Sequence, residues 1–171
     1  MAGVALVVLF TLLVASPAWG EVVTSKEKPE PDTLVAWPYI SWRPSAIYVG
    51  SIAYLDAGIT IVTTGLAPSS YSIQVVIYDP SPAQNGSPQI VAYSLSGCDV
   101  VPKFTYDYNR RAWIFYSGVC TTRLPAGIYS FGITASWQPK APSVYTAEVT
   151  ACVHEIIGGC ESASAYLTVY T

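Results

Sequence analysis

The chain has 171 residues, 51% of them hydrophobic and 11% charged, with a formal net charge of −3. That length suits one domain with a sizeable core and a small extra segment, and the charge excludes a nucleic-acid binder, because no basic stripe exists to neutralise phosphates. A surface so poor in charge has to stay soluble through hydroxyls, tyrosines, glycans or contact with neighbours.

Residues 1–20 carry no charged side chain, and within them Val4 to Val14 is an apolar run of eleven followed by a break at Pro17. Ala18 and Gly20 are small residues placed for cleavage before Glu21, so the segment reads as a secretory signal peptide. A bilayer span needs about 20 apolar residues, so no membrane span is expected after signal cleavage. Residues 21–33 gather six charged side chains with Pro29 and Pro31 and read as a flexible polar tail. A β domain is expected over residues 34–171.

Leu34 to Pro44 is apolar and aromatic but carries Pro38 and Pro44. Proline cannot donate to a ladder, which places this stretch at a sheet edge or makes it a segment that docks late. Ile47 to Leu55 and Ile59 to Thr64 resemble two strands around Asp56-Ala57-Gly58, and Gly65 to Ser70 a loop. Tyr71 to Asp79 alternates cleanly, with Ile73, Val75 and Ile77 inward. Pro80 to Pro88 is turn-rich and holds Asn85-Gly86-Ser87, a glycosylation sequon expected in an exposed loop, although Pro88 follows it. Gln89 to Leu95 is a further strand. Lys103 to Tyr108 and Ala112 to Val119 flank Asn109-Arg110-Arg111 as a hairpin, with Trp113, Phe115, Ser117 and Val119 on an inward parity.

Leu124 to Trp137 is the most regular stretch. It opens with a Pro/Gly turn and then places Tyr129, Phe131, Ile133, Ala135 and Trp137 on one face at the period of two that a pleated strand imposes. After a loop at Gln138 to Pro142, Val144 to Val153 and Ala163 to Thr171 complete the chain, the latter with Ala165, Leu167 and Val169 on one side and Tyr166, Thr168 and Tyr170 on the other. No window has a helical period, and the turn spacing predicts seven to nine short antiparallel strands, an all-β sandwich or barrel. The order Leu124-x-x-Gly127-x-Tyr129-x-Phe131 resembles the corner leading into the sixth strand of the immunoglobulin-like sandwich superfamily, where a tyrosine hydroxyl bonds back to upstream backbone. Phe131 stands where antibody domains carry their second inter-sheet cysteine, so the resemblance is to the broad superfamily. It implies an antiparallel immunoglobulin-like β-sandwich, with a jelly roll as the alternative, and no particular activity.

Cys98, Cys120, Cys152 and Cys160 form an even set in a chain that looks exported, which favours two disulfides. Three pairings are open. The local one joins Cys98 to Cys120 across a long hairpin and Cys152 to Cys160 across a short loop. His154 is the one histidine, too few for a blue-copper centre, and Cys152-x-His154 with Cys160 lacks the paired spacing of zinc ligands. No cofactor or metal is expected. Nucleophile elbow, phosphate loop and dinucleotide fingerprint are all missing, and Asp56, Asp79, Asp99, Asp107, Glu148, Glu155 and Glu161 read as scattered turn residues, so no enzyme is expected.

Trp37, Tyr39 and Trp42 support three readings: a sugar-stacking platform, ordinary core packing, or part of a strand lent to a neighbouring subunit. Strand lending would link copies head to tail into filaments. Together these features describe a secreted, non-enzymatic structural or adhesive protein of the extracellular cell surface, pilus-like in its sharpest version. The alternative is a module that binds carbohydrate or another surface ligand. The partners expected are further copies of the chain, other cell-surface proteins, or carbohydrate.

Overall fold

A computed structural model describes residues 34–64, 67–154 and 159–171. The signal-peptide and tail expectations, and Glu155, fall outside the described residues. Eleven strands and one helical turn follow in chain order: β1 (Leu34–Arg43), β2 (Ala46–Tyr48), β3 (Ala53–Thr63), β4 (Ala67–Tyr78), α1 (Pro82–Asn85), β5 (Gln89–Ser94), β6 (Thr105–Asp107), β7 (Ala112–Tyr116), β8 (Cys120–Leu124), β9 (Gly127–Trp137), β10 (Ser143–Val153) and β11 (Cys160–Tyr170). The strand count exceeds the seven to nine expected because β2 and β6 have three residues each, too few to register as an alternating pattern.

The strands form an immunoglobulin-like β-sandwich. One sheet has the order β1-β3-β9-β5; the other runs β2-β11-β10-β4-β7-β6, with β8 also on β4. All pairings are antiparallel except the short β2–β11 contact. Period-two alternation supplies the core between the sheets: Leu55, Ala57, Ile59 and Ile61 from β3, Phe131, Ile133, Ala135 and Trp137 from β9, facing Ile73, Val75 and Ile77 from β4 and Leu167 and Val169 from β11. Rings join the layers, with Tyr71 stacked on Phe131 at 4.7 Å and Trp137 edge-on to Tyr145 at 4.8 Å. At the predicted corner the Tyr129 hydroxyl donates to the Pro125 carbonyl at 3.1 Å.

Two expectations change. Asp56-Ala57-Gly58 is no turn: β3 runs unbroken and pairs with β1 and β9 along its length. Gly58 lies opposite both Tyr39 and Gly132, and a Cβ on either glycine would collide with the Tyr39 hydroxyl. Glycine is needed there for a close approach across strands, not for chain reversal. The inward parity of Ala112 to Val119 also fails at its ends, since Phe115 and Ser117 are buried while Val119 is exposed and Trp113 half-buried. The ladder from β7 to β4 ends at Tyr116, and the chain bends through Gly118, at φ 69°, before β8 rejoins β4 farther along.

The sheet margins are guarded. β1 carries Pro38 in its middle, β5 shifts register between Ile90 and Ala92, and β2 and β6 are three residues long. Each device discourages addition of a further strand.

Candidate functional site

On the four-stranded sheet, β1 turns Trp37 and Tyr39 outward and Trp42 inward, because 37 and 39 share a parity that 42 does not. The three aromatics of the supposed platform therefore do not share a face. Trp42 is 5% exposed with its ring 6.1 Å from that of Trp137, and among the described residues its indole N–H has no hydrogen-bond partner. Tyr39 lies over the paired glycines with its hydroxyl 3.5 Å from the Phe131 carbonyl oxygen. Burial, and then the nearby Asp56 carboxylate, raises its pKa. Asp56 is itself engaged, ion-paired with Arg43 and accepting from the Thr134 hydroxyl at 2.7 Å.

The larger sheet presents a different outer face. Registering β11 on β10, β10 on β4 and β4 on β7 brings Tyr166, Thr146 and Tyr78 onto that face, with Ser164, Glu148, Val76 and Ile114 in the next row and Ser162, Thr150, Gln74 and Tyr116 in the row after. Glu148 is the one charged side chain in these rows, and it accepts from the Tyr78 hydroxyl at 3.3 Å. Burial, then Glu148, raises the pKa of Tyr78. At the β2 margin Tyr48 and Tyr170 lie against each other with ring centroids 6.1 Å apart. Tyr48, Tyr78, Tyr116, Tyr166 and Tyr170 are all exposed. At the opposite margin, β6, β7 and the preceding loop border an open groove of about 560 Å³.

Sequence reasoning missed this tyrosine face. The outward parity of Tyr166 and Tyr170 was visible in β11, but Tyr78 and Tyr116 join them only through a strand order that pattern alone does not specify.

Inside the sandwich a polar cluster replaces the expected exposed loop. Asp79 is fully buried: its Oδ1 accepts from the Ser81 amide at 2.9 Å and from Asn85 Nδ2 at 2.8 Å, and its Oδ2 from Trp113 Nε1 at 3.0 Å. Asn85 Nδ2 also donates to the Tyr145 hydroxyl at 2.9 Å, while its Oδ1 accepts from the amides of Lys140 and Ala141, both at 2.9 Å. The sequon expectation is thereby corrected. Asn85 is 4% exposed with both amide hydrogens committed, so in the folded chain it has nothing to offer a glycan.

The cysteines take the local pairing, Cys98 with Cys120 and Cys152 with Cys160. His154 Nε2 lies 2.9 Å from the Ser72 hydroxyl beside the second bridge. Tyr71, next to the first, donates to the Ser96 carbonyl at 2.8 Å, and burial pushes its pKa up to about 12 against the lowering effect of that bond. Among the described residues no helix is long and apolar enough to cross a membrane.

No protein-family model matches this chain, and no curated protein matches it. Solved β-sandwich structures are similar in fold. A CARDB domain from Pyrococcus furiosus is 13% identical over 81% of this chain and 93% of its own, with a TM-score of 0.41. A cohesin module of a family 33 glycoside hydrolase from Clostridium perfringens is 15% identical over 80% of this chain and 98% of its own, with a TM-score of 0.43. A non-cellulosomal cohesin from Archaeoglobus fulgidus is 9% identical over 78% and 91%, with a TM-score of 0.41.

Proposed function

We propose that this chain is a non-catalytic structural or adhesive element of the extracellular cell surface, which docks further copies of itself, or other surface proteins, on the outer face of its larger sheet. The observation that carries the reading is the chemistry of that face. It displays exposed tyrosines separated by threonine and serine, with Glu148 as its one charge in the central rows. Tyrosine offers large, stiff contact area with a polar tip at low entropic cost, and a sheet presents such rings in one plane. Export is supported by the leader-like residues 1–20 and by two disulfides, which persist in oxidising compartments.

Guarded margins favour association by face over association by edge. The pilus-like version, in which the segment before Arg43 is lent to a neighbour, requires exchange of the nine residue pairings from Leu34 to Trp42 between β1 and β3. The Tyr78→Ser/Tyr166→Ser double substitution separates the two: it abolishes assembly through the tyrosine face and leaves assembly by lending intact. The carbohydrate alternative loses support at Trp37, Tyr39 and Trp42, since Trp42 belongs to the core.

Sedimentation velocity of the oxidised protein tests the main reading. We expect a reversible rise in mass with concentration that Tyr78→Ser/Tyr166→Ser abolishes without lowering the melting temperature. A strict monomer that also fails to bind cell surfaces, or assembly unchanged by the double substitution, overturns it.

A further inference from the structure

We infer that the groove at the β6–β7 margin is a binding site for a neutral saccharide. Its volume of about 560 Å³ lies within the roughly 300–1,000 Å³ common for small-ligand sites. Three of its polar groups are unengaged: the Asp99 carboxylate, the Lys103 ammonium and the Thr105 hydroxyl make no hydrogen bond or ion pair with any described residue. Asp107, also at the groove, differs in accepting from the amides of Asn109 and Arg110. The groove is also lined by the apolar side chain of Ile114 and the ring of Tyr116, which is 52% exposed.

That combination of polar groups and an exposed ring suits a sugar. A pyranose presents a C–H face that packs on an aromatic ring, and a rim of hydroxyls that both donate and accept. Asp99 takes donated protons, Lys103 offers them, and Thr105 does either. The two free charges are opposite in sign, so a neutral ligand satisfies both, whereas an anion meets Asp99 and a cation meets Lys103. The groove is open, as a chain that continues past the site requires. A peptide adding as a strand is disfavoured, because β6 is only three residues long. One wall is held in advance: Tyr106 donates to the Asp79 carbonyl at 2.8 Å and packs edge-on to Trp113 at 4.9 Å, which lowers the ordering cost of binding.

This inference does not rest on self-association; Ile114 and Tyr116 belong to both surfaces, so the two readings are separated by testing the groove where association is abolished. The oxidised full chain, labelled with 15N, is titrated with cellotetraose, chitotriose and mannotriose. We expect at least one of them to give saturable amide shifts confined to residues 99–107 and 114–116. In the Tyr78→Ser/Tyr166→Ser background, where association no longer covers Tyr116, the titration persists, Tyr116→Ala weakens it about tenfold and Asp99→Asn about fivefold. Both test positions are exposed, so neither variant threatens the fold. Absence of saturable shifts with all three sugars, shifts centred elsewhere, or a Tyr116→Ala variant that titrates like the parent overturns the proposal.

Discussion

The middle and the C-terminal end of β4 are secured by different physics. In the middle, Tyr71 and Ser72 stand opposite Cys120 and Cys152, so a disulfide flanks the strand on each side. At the C-terminal end, Asp79 binds Ser81, Asn85 and Trp113, and Asn85 passes the connection on to Tyr145 and the loop at Lys140–Ala141. A disulfide acts largely by restricting the unfolded chain, so its contribution survives local rearrangement. A buried polar cluster acts in the folded state and behaves as a unit, because removing one member leaves its partners desolvated and unpaired. The same strand is thus held at one place through the unfolded chain and at the other through the folded state.

The sharpest way to break this contrast is at Asp79. Asp79→Ala strands a main-chain amide, a carboxamide and an indole N–H, and we expect a loss on the order of 4 kcal/mol in urea unfolding with little change in slope. A loss under about 1 kcal/mol would mean that the cluster is not cooperative. Next in size, Cys98→Ala/Cys120→Ala should cost about 3 kcal/mol and Cys152→Ala/Cys160→Ala about 2.5 kcal/mol, the longer ring mattering more. Equal costs, or the reverse order, would point to folded-state contacts as their main effect.

Alkali probes both places. The pKa of Tyr71 is raised, so the folded state favours the neutral hydroxyl; the stability this supplies is complete below pH 10 and is lost as pH rises toward about 12. The loss attributable to Tyr71 is about 2 kcal/mol across that window, and Tyr71→Phe should remove it, as read by urea midpoints against pH. Burial raises the pKa of Tyr145 at the other end as well, so some alkaline sensitivity remains in the variant. The smallest effect separates two tryptophans of one core contact. Trp137 Nε1 donates to the Gly86 carbonyl at 3.0 Å, whereas Trp42 Nε1 has no partner among the described residues. Trp42→Phe should therefore be milder than Trp137→Phe by about 1 kcal/mol in thermal unfolding.

Much of the sandwich was legible because its long strands follow a local rule. In β4, β9 and β11 the inward residues could be named from alternation alone, and the Leu124–Phe131 corner announced its own hydrogen bond. What stayed hidden depends on partners distant in sequence. Gly58 looks like a turn residue until Gly132 and Tyr39 are set beside it. Asn85 looks like loop surface until Asp79 and Tyr145 close around it. Trp42 looks like a companion of Trp37 and Tyr39 until the parity of β1 is counted against the core. The tyrosine face and the groove belong to the same class, since both arise from strands brought together by topology.

Hydroxyl-radical footprinting of the oxidised protein at low and high concentration asks most directly whether the tyrosine face is the contact surface. Tyr78, Tyr116 and Tyr166 are expected to become protected as mass rises, while Tyr93 and Trp37 on the other sheet remain reactive. Protection confined to the four-stranded sheet, or none at concentrations where the protein is associated, would contradict it.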